Sequence, residues 1–298
     1  MLVYLPLAAL FLILLSACAG PEARTADASA RVISAADKLP GDHRELAKAV
    51  VELRAVELTE ARIRGFSSET VYSLHSAAQT AAFYDPGAED LVLLQARTLD
   101  EKIRRNGEKK RDLRGMFIAY MGARMFDAAR ALRVRHPSIQ FPSIPDEIES
   151  ASISKPGDWS AYAISNGWKR ADLKSLPLDR GVKVVMVILP GCPAAEVALE
   201  DLLGNAETAS AFRRDGFILT ARFDAEGISL WKKHFAFEPM FITRKATDFP
   251  GLDFDDSPRF YFLRDGKIVS DFVGWDGTPG PTGSRARFLA ELKRLEGA

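Results

Sequence analysis

Two cysteines are the residues of this chain best suited to chemistry. Cys18 closes an N-terminal apolar segment that ends in LSAC, and Cys192 lies within PGCPAAE, directly after a second apolar run. A thiol can accept a lipid, attack a disulfide or bind a soft metal. If Cys18 is consumed by a lipid, Cys192 is the only free thiol and no internal disulfide can form.

The segment before Cys18 resembles the signal peptide of bacterial lipoproteins. Residues 2–17 are uncharged and mostly apolar, and they end in an aliphatic residue and two small ones. Small residues beside the cleavage point are what a signal peptidase admits. The resemblance implies that residues 1–17 are removed and that palmitate and further acyl chains on Cys18 anchor the protein stably in a membrane.

One feature departs from the lipoprotein pattern, because no Lys or Arg precedes the apolar run. The alternative is an uncleaved signal anchor or a short transmembrane helix. The run of about 16 residues falls just short of the ~17–25 that span a bilayer, and Pro6 shortens it further.

The residues after Cys18 bear on where the protein resides. Ala19 in place of Asp resembles the signal for transfer to the outer membrane of Gram-negative bacteria, which implies a periplasm-facing protein. Residues 18–33 are otherwise small and polar without an apolar period, so we predict a lipidated tether of about 20–25 Å. The folded part would then work close to the membrane, with an envelope protein as its expected partner.

The elements around Cys192 are predicted to alternate between strands and helices. The β-branched run 182–189 is typical of a buried parallel strand and leads into a helix that ends near Leu203. Further strands are predicted at 217–223, 259–263 and 268–273, with helices near 226–235 and 284–295. Residues 236–256 show no pattern and are predicted to be irregular.

This order, with a Cys-Pro pair at the start of the first helix, resembles the thioredoxin fold over roughly residues 178–298. A second point of resemblance is Ser257-Pro258, just before the next-to-last strand. The resemblance implies that Pro258 is cis and faces Cys192. It also makes Cys192 the candidate catalytic residue, with Pro193, Ser257 and Pro258 in support.

Three positions depart from the thioredoxin pattern. Ala195 replaces the second cysteine that would release a mixed disulfide, Gly191 replaces the usual Trp, and Met186 replaces a buried carboxylate. Two hypotheses stay open. The domain serves protein interaction or assembly without dithiol redox activity, or Cys192 acts as a single thiol that an external thiol resolves.

The N-terminal half is predicted to be an α-helical domain over residues 34–137. Apolar residues recur there at helical spacing, as in Leu46, Val50 and Leu53. Residues 112–137 resemble one degenerate tetratricopeptide-type hairpin, but no second copy follows at a period of ~34 residues. An ordinary helical bundle is the alternative. Prolines are frequent in residues 138–177, which we predict to be a linker.

Charge and spacing exclude other classes of function. The 40 basic and 40 acidic side chains balance, so no field attracts nucleic acid. His43, His75 and His136 lack metal-ligand spacing, and Asp253, Asp255 and Asp256 lack that of a calcium loop. We therefore predict no metal or cofactor. Basic residues cluster between 102 and 114, either against anionic head groups or as a solvated helix end and loop.

Overall fold

The computed structural model describes residues 20–38, 43–149, 158–277 and 283–297. Cys18 and the predicted signal peptide lie outside the described residues. The chain divides into two compact units, Met1–Ala123 and Arg124–Ala298. No helix within the described ranges has the length and apolar character needed to cross a bilayer. Secondary structure is mixed, with helices in both units and one eight-stranded sheet.

The described part of the first unit is helical. Its elements are α1 (Pro21–Ala36), α2 (His43–Arg54), α3 (Glu60–Gly65), α4 (Ser68–Tyr84), α5 (Glu89–Arg104) and α6 (Lys110–Gly122). α1 packs on α2 and α4, and α5 packs on α4 and α6. Ser67 caps α4, because its hydroxyl accepts a hydrogen bond from the Thr70 N–H.

Helix α1 corrects the prediction of a tether over residues 18–33. From Pro21 onward these residues are helical, and Ala28, Val32 and Ala35 are buried. The Glu22 carboxylate also accepts a hydrogen bond of 2.7 Å from the Ser67 N–H. The buried positions do recur at helical spacing, but most carry Ala, Ser or Thr, so the sequence shows no run of large apolar residues.

The second unit begins with α7 (Phe126–Arg135) and holds the whole sheet. Its strands are β1 (Glu147–Ile148), β2 (Ser160–Ser165), β3 (Arg170–Ser175), β4 (Val182–Val187), β5 (Gly216–Thr220), β6 (Met240–Thr243), β7 (Arg259–Arg264) and β8 (Lys267–Val273). Its other helices are α8 (Pro193–Gly204), α9 (Ala206–Asp215), α10 (Ala225–Phe235) and α11 (Ser284–Gly297).

The sheet is mixed, with strand order β1-β3-β2-β6-β5-β4-β7-β8. β4, β5 and β6 are parallel neighbours. β7 pairs antiparallel with β4, and β8 pairs antiparallel with β7. The predicted strands at 182–189, 259–263 and 268–273 therefore belong to one half of the sheet, as expected.

Several predicted boundaries are wrong. Residues 138–177, predicted as a linker, contain β1, β2 and β3, and the segment 236–256, predicted to be irregular, contains β6. β2 pairs antiparallel with β6, so the supposed linker completes the sheet. The helical domain was predicted to reach residue 137, but α7 belongs to the second unit. The predicted 112–137 hairpin thus falls on both sides of the division.

The sheet is covered on both faces, which explains the apolar run Val184–Val187 in β4. Val184 and Met186 pack with α8, α10 and α11 in one cluster that includes Phe260 and Phe288. Val185 and Val187 point to the opposite face, into a cluster with Tyr261 and Phe249. Side chains alternate across a strand, so the segment Val184–Val187, which is buried on both faces, is apolar at every position.

Candidate functional site around Cys192

Cys192 is held between the end of β4 and the start of α8. It is the residue before the first helical position, which Pro193 occupies. The Cys192 N–H donates to the Leu189 carbonyl at 3.0 Å, and its own carbonyl accepts from Ala195 and Glu196. Gly191 has φ +81°, a left-handed conformation that a glycine adopts without strain. The backbone therefore fixes where the thiol lies.

The segment Ser257-Pro258 lies against this turn. The Ser257–Pro258 peptide bond is cis, as predicted. The Leu189 N–H donates to the Ser257 hydroxyl at 2.8 Å, and the Cys192 thiol donates to the Ser257 carbonyl at 3.5 Å. The structure thus brings together Cys192, Pro193, Ser257 and Pro258, the four site residues predicted in this unit.

The thiol and the position of the missing second cysteine differ in exposure. Cys192 is partly exposed, whereas Ala195 is fully buried in the core. Met186, where a carboxylate was expected by resemblance, is also fully buried. Among the described residues no second free cysteine is present to attack a disulfide formed on Cys192. Release of such an adduct would require a thiol from outside the described residues.

The acidic residues just before Ser257 serve to hold an arginine. Arg259 pairs with Asp253 at 2.7 Å, Asp256 at 3.3 Å and Asp271 at 2.9 Å. The Asp253 N–H also lies 2.6 Å from the Tyr261 hydroxyl. Arg259 therefore holds the acidic residues of this loop together.

Three side chains that could ligate a metal ion were missed by sequence reasoning, and two of them lie close to Cys192 in the chain. Glu196 and Glu200 lie on α8 and His234 on α10, and their ligand atoms all lie within 4.8 Å of one another. All three side chains are exposed. Two carboxylates four residues apart on a helix share one face, which is visible in sequence. The approach of His234 depends on how α10 packs, which the sequence does not show.

Arg124 is a buried cation of this unit that the sequence did not indicate. Its guanidinium donates to the Ala221 carbonyl at 3.0 Å and to the Thr243 carbonyl, just beyond β5 and at the end of β6. Burial lowers the pKa of Arg124 to about 10. A cavity of about 640 Å³ beside it is lined in part by Phe126 and Tyr162. The hydrogen bonds make Arg124 a structural cation that ties the first residue of the unit to the sheet.

In the first unit, three residues of the basic segment 102–114 form close ion pairs. Lys102 is buried and pairs with Asp112 at 2.7 Å, and Arg104 and Arg105 both pair with Glu101. His75 is buried, and its Nδ1 lies 3.1 Å from the Thr98 hydroxyl. Burial, with the nearby charge of Lys102, lowers the pKa of His75 to about 4. This cluster stabilises the packing of the helices in the first unit.

Comparison of the chain with protein-family models, curated proteins and solved structures finds no match. Its chemistry must therefore be inferred from its own residues.

Proposed function

We propose that this chain is a lipoprotein of the cell envelope whose thioredoxin-like domain engages other proteins through the surface around Cys192, without dithiol chemistry. Cys18 would carry the lipid, and the protein would face the periplasm, with the outer membrane as its expected location. The lipobox-like LSAC sequence supports the anchor.

The arrangement of residues 178–298 supports the thioredoxin-like assignment. A parallel β4-α8-β5 connection is followed by the antiparallel β7-β8 hairpin and by α11. The Cys-Pro pair begins α8, and the cis Ser257–Pro258 bond lies beside the thiol. α9, β6 and strands β1–β3 are additions to the predicted pattern. Fold likeness alone does not define an activity, so the residues around Cys192 must carry the argument.

One observation carries the proposal: the Cys192 thiol is partly exposed, whereas Ala195, which replaces the second cysteine, is fully buried. The site keeps the surface and backbone frame of a thiol centre but holds one sulfur. The same helix α8 that begins after Cys192 also presents Val197, which is 49% exposed. In this proposal Val197 is one of the contacts with the partner.

The exposure of Cys192 favours a second candidate function, monothiol exchange. The Cys192 thiolate would attack one sulfur of a partner disulfide, and the other sulfur would leave with the bonding electron pair and take up a proton. The product is a mixed disulfide on Cys192. An external thiol would then attack that bond and restore the free cysteine, since Ala195 cannot.

The two functions separate in one experiment on the full-length protein. Cells carrying wild type, Cys192→Ser or Val197→Lys are quenched with acid and a thiol blocker, and bound envelope proteins are recovered with and without reductant. For an interaction role we expect the same partner from wild type and Cys192→Ser, and its loss from Val197→Lys. Val134→Lys, at an 80% exposed valine on α7, is the matched control.

Reductant-sensitive adducts that vanish in Cys192→Ser would favour monothiol exchange. Rapid insulin reduction by the purified protein, abolished in Cys192→Ser, would overturn the interaction proposal. A Cys192 that resists alkylation until the protein is denatured would exclude the monothiol alternative. The anchor is tested separately, because Cys18→Ser should abolish palmitate labelling, and labelling that persists would contradict the lipoprotein assignment.

A further inference from the structure

Glu196, Glu200 and His234 form a convergent set of ligand atoms on rigid helices. Glu196 and Glu200 lie one turn apart on α8, and His234 lies in the last turn of α10. Both helices pack against the same face of the sheet through fully buried residues, among them Leu199 and Ile228. The ligand atoms lie within 4.8 Å of one another. A tetrahedral site with bonds of about 2.1 Å needs ligand separations of about 3.4 Å, which small side-chain rotations supply.

The charge of this group is not balanced within the described part of the protein. Neither Glu196 nor Glu200 has a Lys or Arg at ion-pair distance there. Lys232, on the same turn as His234, is directed elsewhere: its ammonium donates to the Ile164 carbonyl and pairs with Glu238. Like charges four residues apart on a helix repel each other. The acidic loop before Ser257 shows the contrast, because Arg259 pairs with two of its carboxylates, Asp253 and Asp256.

We propose that Glu196, Glu200 and His234 bind a divalent transition-metal ion, with Zn²⁺ as the ion that their chemistry fits best. Imidazole nitrogen with carboxylate oxygen is a donor set that zinc accepts. Calcium and magnesium take oxygen ligands and gain little from His234. Three protein ligands leave one coordination position open to solvent for a water molecule or a ligand group from another molecule. This inference does not rest on the proposed function of Cys192.

Zinc titration of the full-length protein tests this proposal. Affinity is measured by competition with a chromophoric chelator, and Co²⁺ spectra report the coordination geometry. The variants are Glu196→Gln, Glu200→Gln and His234→Gln, all at exposed positions, with circular dichroism to confirm the fold. Glu207→Gln on α9 is the matched control, since it removes an exposed helical carboxylate outside the group.

We expect one Zn²⁺ per chain, with each site variant weakening the affinity by at least about tenfold and Glu207→Gln leaving it unchanged. Equal affinity in wild type and the three site variants would overturn the proposal, as would the absence of binding. The Cys192→Ser variant tests whether the thiol contributes to zinc binding. Loss of binding in Cys192→Ser, with the three site variants unaffected, would place the metal on the thiol and refute the assignment.

Discussion

Two ionic clusters, one in each unit, lie in opposite environments. In the first unit Lys102 and Asp112 are paired at 2.7 Å with side chains only 7% and 5% exposed. In the second unit Glu196, Glu200 and His234 are exposed, and the carboxylates lack a basic partner in the described part of the chain. A buried pair whose charges are satisfied is committed to the fold, whereas convergent exposed charges stay available to a ligand. The first cluster should therefore control stability, and the second should control binding.

The largest effect concerns the limits of the second unit. A fragment of residues 124–298 should unfold cooperatively, because it keeps the whole sheet and Arg124. A fragment of residues 176–298 should not, since it loses β2 and β3, together with Trp159 and Ala161 from one core cluster. Urea unfolding followed by circular dichroism checks both. Cooperative unfolding of the shorter fragment would show that β1–β3 are an appendage.

Breaking the buried pair of the first unit comes next. Asp112→Asn should lower the free energy of unfolding by about 3–5 kcal/mol, because it leaves the Lys102 ammonium buried without a counter-charge. The control is Glu45→Gln in the exposed Lys38–Glu45 pair, which should cost less than about 1 kcal/mol. Denaturant unfolding of the full chain measures both, and equal losses would refute the distinction between the two environments.

In the second unit, the residues around Cys192 were predicted from the sequence more accurately than the strands of the sheet. The structure brings together Cys192, Pro193, Ser257 and Pro258. These residues could be predicted because a Cys-Pro after a β-branched run and an X-Pro before a strand are local patterns. β2 was missed because it reads SAYAIS, with few large side chains, in a segment punctuated by prolines. His234 could not be placed near Glu196 because their approach follows from helix packing, which no local pattern encodes.

The third prediction uses pH to probe the buried cluster. His75 is kept neutral by burial and by Lys102, with Asp112 acting in the opposite direction, and its pKa falls from 6.5 to about 4. Between these values the unfolded chain binds a proton that the folded chain does not, so stability is full above pH 6.5 and declines as the pH falls towards 4.

The loss by pH 4 should be about 3 kcal/mol, given the fall in the pKa of His75. His75→Gln should flatten the dependence of the free energy of unfolding on pH across this window. Urea unfolding at pH 7, 6, 5 and 4 measures the slope. An unchanged slope in His75→Gln would assign the pH dependence to other groups.

The smallest effect tests the exposed cluster without metal and then with it. In the presence of a chelator, Glu200→Gln should raise the free energy of unfolding by about 0.2–0.5 kcal/mol, because it removes repulsion from Glu196. The same change at Glu207, in the first turn of α9, should lower stability slightly, since a carboxylate there interacts favourably with the helix N-terminus. Added Zn²⁺ should then stabilise the wild type but not Glu200→Gln, because an ion that binds only the folded state shifts the unfolding equilibrium. Thermal unfolding with and without zinc measures both signs. If Glu200→Gln is destabilised under chelation, the two carboxylates do not repel each other. If zinc stabilises this variant as much as the wild type, the two carboxylates do not share an ion.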